Sequence, residues 1–197
     1  AVVLRRIQDW PGAAGAYRHA LHLDPASTEA SLGLGAVLIE QEHWDEAVAQ
    51  FRQFLEGHPD HPEALFGLGS ALKGAEKFAE AVSPLQRAVA LRPHFLEALF
   101  KLGSTLQALE RRDEAVAVFR AALEIAPRSP EVLTNLGNAL WSARDFAAAL
   151  DMHERSLRLR PEHAATYNNI GNALLGMLRY DEAEAAFRHS LSLKSEP

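Results

Sequence analysis

Three short stretches of the sequence carry residue types that enzymes use. Ser70 and Lys73 have the Ser-x-x-Lys spacing of enzymes in which a lysine assists a serine nucleophile. The companion Lys-Thr-Gly and Ser-Asp-Asn motifs are absent. Any serine and lysine three residues apart on a helix give the same match. The pair therefore indicates a solvated helix face, and we expect no catalytic residue here.

The Gly-Leu-Gly stretches at 33–35 and 67–69 imitate the start of a dinucleotide-binding loop. That loop follows a β-strand and needs a third glycine, but Leu38 and Leu72 occupy the third position and the stretches lie in helical patterns. A Gly-Lys-Ser/Thr phosphate loop is also absent. We expect no cofactor and no enzymatic activity.

Histidines could bind a metal, and the densest pair is His58 and His61 with Asp60 between them. Zinc sites are usually completed by four ligands, often including cysteine, and this chain has no cysteine. Two imidazoles and one carboxylate form an incomplete set, so the stretch indicates an ordinary exposed loop without metal.

The composition limits the classes of partner. Apolar residues make up 48% of the 197 residues and charged residues 23%, which is typical of a folded chain rather than a disordered one. The formal charge of −6 disfavours nucleic acid and anionic membranes, which attract basic patches. No apolar run approaches membrane-spanning length. We expect a soluble protein and favour the cytoplasm, although the composition does not determine the compartment.

The sequence contains a repeat of 34 residues, and this repeat determines where any binding residues lie. Proline, glycine, alanine and leucine each form a column at this spacing without drift. The proline column is Pro25, Pro59, Pro93, Pro127 and Pro161, and the glycine column is Gly35, Gly69, Gly103, Gly137 and Gly171. The alanine column runs from Ala13 to Ala183 and the leucine column from Leu4 to Leu174.

Each period contains two amphipathic helical patterns, as at 62–74 and 77–93. The column prolines end each second helix, because proline cannot continue the hydrogen-bond ladder. Asp45, Asp113 and Asp181 stand where the second helix begins, and we expect them to cap its free N–H groups. The pattern predicts a string of helix–turn–helix units.

These columns resemble the tetratricopeptide repeat family, whose unit is 34 residues long. The signature is Leu102, Gly103, Leu106, Ala115, Phe119, Ala122 and Pro127, and again Tyr167, Ile170, Gly171, Leu174, Tyr180, Ala183 and Phe187. The resemblance implies an all-α, right-handed superhelical solenoid of antiparallel helix pairs. Full units are predicted at 28–61, 62–95, 96–129, 130–163 and 164–197, after a partial unit at 1–27, in one continuous solenoid.

In this family the first helix of each unit lines a concave groove that binds partner segments. In the first full unit the resemblance places Leu32, Gly33, Ala36 and Ile39 on that face. The predicted binding residues of the later units are Phe66, Ser70 and Lys73, then Phe100, Lys101 and Ser104, then Asn135, Asn138 and Trp141, and finally Asn168, Asn169 and Asn172.

Asparagine stands out in the last two units, since a helical asparagine costs up to about 0.7 kcal/mol relative to alanine. An asparagine amide has donors and an acceptor, so it can pair with the backbone of an extended chain of any sequence. The Asn-Leu-Gly-Asn and Asn-Ile-Gly-Asn stretches resemble the asparagine ladder of O-linked N-acetylglucosamine transferases, which grips the backbone of protein substrates.

The sequence therefore predicts a protein-interaction scaffold that binds a protein or extended peptide in its groove. One alternative is that it recruits substrates for a glycosyltransferase whose catalytic domain lies beyond residue 197. Another is homo-oligomerisation through open solenoid ends, where Leu191 and Leu193 should be partly exposed because no capping helix follows them.

Overall fold

The structure is a computed structural model that describes residues 9–195, all of whose regular elements are α-helices. The helices are α1 (Trp10–Leu23), α2 (Thr28–Glu40), α3 (Trp44–Gly57), α4 (Pro62–Gly74), α5 (Phe78–Leu91), α6 (Leu96–Ala108), α7 (Arg112–Ile125), α8 (Pro130–Ser142), α9 (Phe146–Leu159), α10 (Ala164–Gly176) and α11 (Tyr180–Ser195). The all-α class predicted from the sequence is confirmed. The first eight residues of the predicted partial unit 1–27 lie outside the described residues.

The chain forms two compact units, and the boundary in the sequence falls between Thr105 and Leu106. In the first unit, α2 packs against α3 and α4 packs against α5. In the second, α8 packs against α9 and α10 packs against α11. The loops within these pairs are three residues long, so paired helices run antiparallel. The first helices of the five predicted full units are α2, α4, α6, α8 and α10.

Glycine allows the two helices of a pair to approach closely. A Cβ atom added at Gly69 would lie 2.4 Å from Cγ of Leu85, and one at Gly171 would lie 2.5 Å from Cε1 of Phe187. These separations are far below van der Waals contact, so no other residue fits without rearrangement. The glycine column is therefore a packing feature, and its spacing to the bulky residue of the second helix is constant.

The turn inside each full unit has a conformation that the sequence did not indicate. Five non-glycine residues with positive φ recur every 34 residues: Glu42, Glu76, Glu110, Arg144 and Leu178. After each of them, the next backbone N–H donates to the leucine column, as from Lys77 to the carbonyl of Leu72 over 2.9 Å. This is the bond of a Schellman motif, which satisfies carbonyls at the end of a helix.

The capping prediction is wrong for Asp45 and Asp113. The residues before these helices are His43 and Arg111, and neither makes a side-chain capping bond. Each aspartate lies in the first turn, where its negative charge interacts favourably with the helix dipole. Instead of capping the helix, Asp45 accepts a hydrogen bond from Nζ of Lys77 over 2.7 Å. The predicted capping chemistry occurs at Asp145, whose carboxylate accepts from the N–H of Ala148.

Two further expectations concern the exposure of leucines near the C-terminus and the absence of a membrane-spanning segment. Leu191 is 63% exposed and Leu193 is half-buried, which confirms their predicted partial exposure. None of the helices in the described part of the chain is both long enough and apolar enough to cross a membrane.

Candidate functional site

In the first compact unit, predicted binding residues of α4 and α6 contact each other. Nζ of Lys73 donates a hydrogen bond to Oγ of Ser104 over 2.5 Å, and Ser104 donates in turn to the carbonyl of Lys101. Phe66 is half-buried, and the centroid of its ring lies 5.0 Å from that of Phe95. Neighbouring first helices therefore present one shared polar and aromatic surface.

The electrostatics of this surface depend on Lys73 and Lys101. Burial, and secondarily the positive charge of Lys101, lowers the pKa of Lys73. Within residues 9–195, neither lysine forms an ion pair with a carboxylate. Two like charges without an acidic partner, on a chain of net charge −6, leave this surface suited to an anionic group.

Beside these residues lies an apolar cavity of about 420 Å³. Its lining includes Leu32, Ala36, Ile39 and Phe66, so the structure brings together residues predicted for the groove in two units. Its full lining is Tyr17, Glu29, Leu32, Gly33, Ala36, Ile39, Phe51, Glu63, Phe66 and Gly67.

Sequence reasoning missed four of these lining residues: Glu29 and Glu63 in the first turns of α2 and α4, and Tyr17 and Phe51, which belong to second helices. Tyr17 and Phe51 reach the cavity because glycine leaves space there. A Cβ at Gly33 would lie 2.4 Å from Cζ of Tyr17, and one at Gly67 would lie 2.3 Å from Cζ of Phe51. A glycine on the inner face, in register with an aromatic residue on the preceding helix, is the signal that could have identified them.

In the second compact unit, the asparagines of α8 and α10 meet directly. Nδ2 of Asn169 donates to Oδ1 of Asn138 over 3.1 Å. The indole Nε1 of Trp141 donates to the backbone carbonyl of Asn172 over 3.3 Å. Trp141 is nevertheless 44% exposed, so its ring offers an apolar surface beside the amides.

The remaining asparagines are less constrained. Asn135 is half-buried and Asn168 is exposed. In the described part of the chain, neither side chain has a hydrogen-bond partner. Their amides are therefore free to bond with a ligand or with water.

The structure shows what the residues of the serine–lysine and histidine patterns contact. The predicted solvated face is wrong for Ser70, whose hydroxyl is buried without a hydrogen-bond partner, and Lys73 bonds to Ser104 rather than to it. His58 stacks on Phe54 with ring centroids 4.4 Å apart, while Nδ1 of His61 accepts from the N–H of Ala64 over 3.4 Å. Among residues 9–195, no three histidine or carboxylate side chains form a group that could bind a metal ion.

Family models establish what these helix pairs are. A model described as tetratricopeptide repeat matches residues 95–162 and 129–196, which together exceed half of the chain. A second model of the same description matches residues 1–42 and 36–93. The chain belongs to the tetratricopeptide repeat family. The first helices of these tetratricopeptide repeats carry the predicted binding residues. No curated protein sequence matches the chain.

Solved tetratricopeptide-type structures resemble this one closely in fold. YrrB, described as a TPR protein with an unusual peptide-binding site, is 19% identical, with a TM-score of 0.81 over 93% of this chain and 95% of that one. MamA of Desulfovibrio magneticus RS-1 is 19% identical, with a TM-score of 0.77 over 92% and 95% of the two chains. MamA of MSR-1 is 24% identical, with a TM-score of 0.72 over 81% and 92%. Identities this low show the fold and not a shared ligand.

Proposed function

We propose that this protein is an interaction scaffold that binds an extended peptide segment of a partner protein on its first helices. The observation that carries the proposal is the bond between Asn138 and Asn169 on adjacent first helices. We expect polar side chains that meet on adjacent first helices to serve recognition. YrrB, which shares the fold, is described as having a peptide-binding site.

The amide pair has the chemistry to bind a peptide backbone. The bond uses one donor of Asn169 and Oδ1 of Asn138, so the NH₂ group of Asn138 and Oδ1 of Asn169 stay available. A peptide backbone also offers alternating donors and acceptors. Asn135 and Asn172, one turn away on the same two helices, extend the set of amides, and the exposed ring of Trp141 adds an apolar anchor.

The surface of the first unit suits a segment of different chemistry. Its apolar cavity would take a hydrophobic side chain near Phe66, and Lys73 with Lys101 would pair with a carboxylate. Phe100 and Ser104 complete this surface in the proposal, whereas the hydroxyl of Ser70 is buried and is not part of it. We therefore expect segments bound by the first unit to be acidic and hydrophobic, whereas those bound by the asparagines depend on backbone contacts.

Selection from a displayed random peptide library would test this function. The peptides with the highest affinity would be titrated against the wild-type protein and against a variant with Asn135, Asn138, Asn169 and Asn172 all replaced by alanine. At least some peptides should lose about tenfold or more in affinity, equivalent to about 1.4 kcal/mol.

The control variant is Gln53→Ala with Gln86→Ala, which removes two exposed amides from second helices. It should bind every peptide as the wild type does. Failure to select any peptide, or equal affinity of the asparagine variant for all of them, would reject the proposed site.

A further inference from the structure

A small polar cavity lies among α8, α9 and α10 in the second compact unit. Its volume is about 130 Å³, the space of about four water molecules. Six residues line it: Asn138, Trp141, Ser142, His153, Asn169 and Asn172. None of the six is an acid, a lysine or an arginine.

His153 is the unusual member of this lining. At the corresponding position the other full units have Phe51, Leu85, Phe119 and Phe187. His153 is 1% exposed and lies so close to Gly137 that a Cβ there would be 2.5 Å from its Cε1. It therefore has the same place beneath the glycine column as the phenylalanines, but it adds two ring nitrogens.

One of those nitrogens carries an energetic cost. Nδ1 of His153 is buried without a hydrogen-bond partner. Burial lowers the pKa of His153 to about 4, so at neutral pH the ring is uncharged, with one N–H donor and one acceptor nitrogen. A phenylalanine or leucine would fill this place without an unsatisfied polar atom. A ligand that bonds to Nδ1 would remove this cost.

The other lining residues leave a mixed set of donors and acceptors. The bond from Asn169 to Asn138, and those from Trp141 and Ser142 to backbone carbonyls, use only part of their capacity. The NH₂ group of Asn138, Oδ1 of Asn169 and the whole side-chain amide of Asn172 have no other protein partner in residues 9–195.

We propose that this cavity binds a neutral carboxamide group, such as the end of a glutamine or asparagine side chain. A carboxamide has two donors and one acceptor with two lone pairs, which matches the mixed lining. Its size suits a space of about four waters. This inference rests on the proposed function, since the group would be carried by the bound peptide.

Other ligand classes fit less well. A carboxylate has no cation in the lining to pair with, and an ammonium group has no carboxylate. A hydrocarbon side chain would leave the amides and the imidazole without partners. A neutral group with both donors and acceptors satisfies the lining without burying a charge.

The test uses propionamide as a probe, with propionate and butanone as matched controls of similar size. The protein is labelled with ¹⁵N at asparagine, and side-chain NH₂ signals are followed by NMR. All five asparagines lie in α8 and α10, so each signal reports on this surface. Propionamide should shift the signals of Asn138, Asn169 and Asn172 saturably, with a dissociation constant on the order of 10 mM. The two controls should bind at least fivefold more weakly.

His153→Phe and His153→Leu serve as test variants, because both residue types stand at this position in other units. Each should fold and should weaken propionamide binding at least fivefold. Equal binding of propionate or butanone, unchanged affinity in a folded variant, or no saturable shift would overturn the proposal; the last would mean that the cavity holds water only.

A second readout separates this inference from the proposed function. Peptides selected for the asparagine surface should carry glutamine or asparagine at one fixed position, and changing that residue to glutamate or methionine should cost at least fivefold in affinity. Peptides that bind through Asn135, Asn138, Asn169 and Asn172 without an amide requirement would reject the cavity and keep the function. Propionamide binding, together with failure to find any peptide ligand, would keep the carboxamide site and reject the proposed function.

Discussion

The amide nitrogen of Asn169 donates a hydrogen bond to the amide oxygen of Asn138 over 3.1 Å, joining α10 to α8. Asn169 has the repeat position of Asn135 in the preceding unit, so the bond joins positions one helical turn apart. The bond could serve stability, recognition or both, and the two roles differ in measurable ways.

A double-mutant cycle at this pair measures its structural role. Asn138→Ala and Asn169→Ala each lose a bond worth about 1 kcal/mol, and each gains up to about 0.7 kcal/mol in helix propensity. The single variants should therefore change the free energy of unfolding by less than about 1 kcal/mol. The coupling energy from urea denaturation should be about 0.5–1 kcal/mol. Losses of several kcal/mol would show that these asparagines are mainly structural.

The stability of the protein should depend on pH through His153. The pKa of His153 is about 4 in the folded state, against an ordinary value of about 6.5 when unfolded. Between these values the unfolded chain takes up a proton that the folded chain does not, so stability falls as pH falls from 6.5 towards 4. This residue should account for about 3 kcal/mol between pH 7 and pH 4.

The comparison with His153→Phe isolates this contribution, because all other titrating groups stay the same. The difference in unfolding free energy between the variant and the wild type should grow as the pH is lowered. At pH 7 the variant should be at least as stable as the wild type, since it lacks the unpartnered Nδ1. Parallel pH profiles would contradict the burial of a neutral imidazole.

Gly69→Ala tests the close approach of paired helices. An added Cβ would lie 2.4 Å from Cγ of Leu85, so the helices must move apart, at a cost of about 1–3 kcal/mol. Gly15→Ala is the control: nothing lies within 4 Å of its added Cβ, and the gain in helix propensity should stabilise the protein by about 0.5–1 kcal/mol. Thermal unfolding would show a lower Tm for the first variant and a higher one for the second. Equal shifts would disagree with the packing described.

Glu76→Gly tests the turn inside the repeat. Glu76 has a φ of 58°, which is strained for a residue with a side chain and unstrained for glycine. The substitution should raise the free energy of unfolding by about 0.5–1 kcal/mol. Ala75→Gly changes the preceding residue, whose φ is −75°, and should lower stability instead. Destabilisation by both substitutions would place the turn in another conformation.

Most of the fold could be predicted from the sequence because its packing constraints repeat. Gly69 and Gly171 each lie against a bulky residue 16 positions later, and a constraint that recurs in every unit is visible without coordinates. Helical spacing also places the predicted binding residues of each first helix on one face, and the structure brings Asn138 and Asn169 of two first helices into contact.

Other features left weak signals or none. The residues with positive φ include Glu42, Arg144 and Leu178, and none of these types marks a left-handed turn in a sequence. Asp45 was misplaced by two residues, because the polar residue that begins a helix is hard to locate from pattern alone. The partnerless nitrogen of His153 depends on three helices meeting around it, which one helix pattern cannot show.

The most direct test of the central claim is an NMR titration of protein labelled with ¹⁵N at asparagine with a selected peptide. The five side-chain amides of α8 and α10 give separate signals, so contact is observed at the proposed site itself. We predict saturable shifts of Asn138, Asn169 and Asn172, at the same dissociation constant that the affinity titration gives. Tight binding that leaves all five signals unchanged would contradict the account and place the ligand elsewhere on the protein.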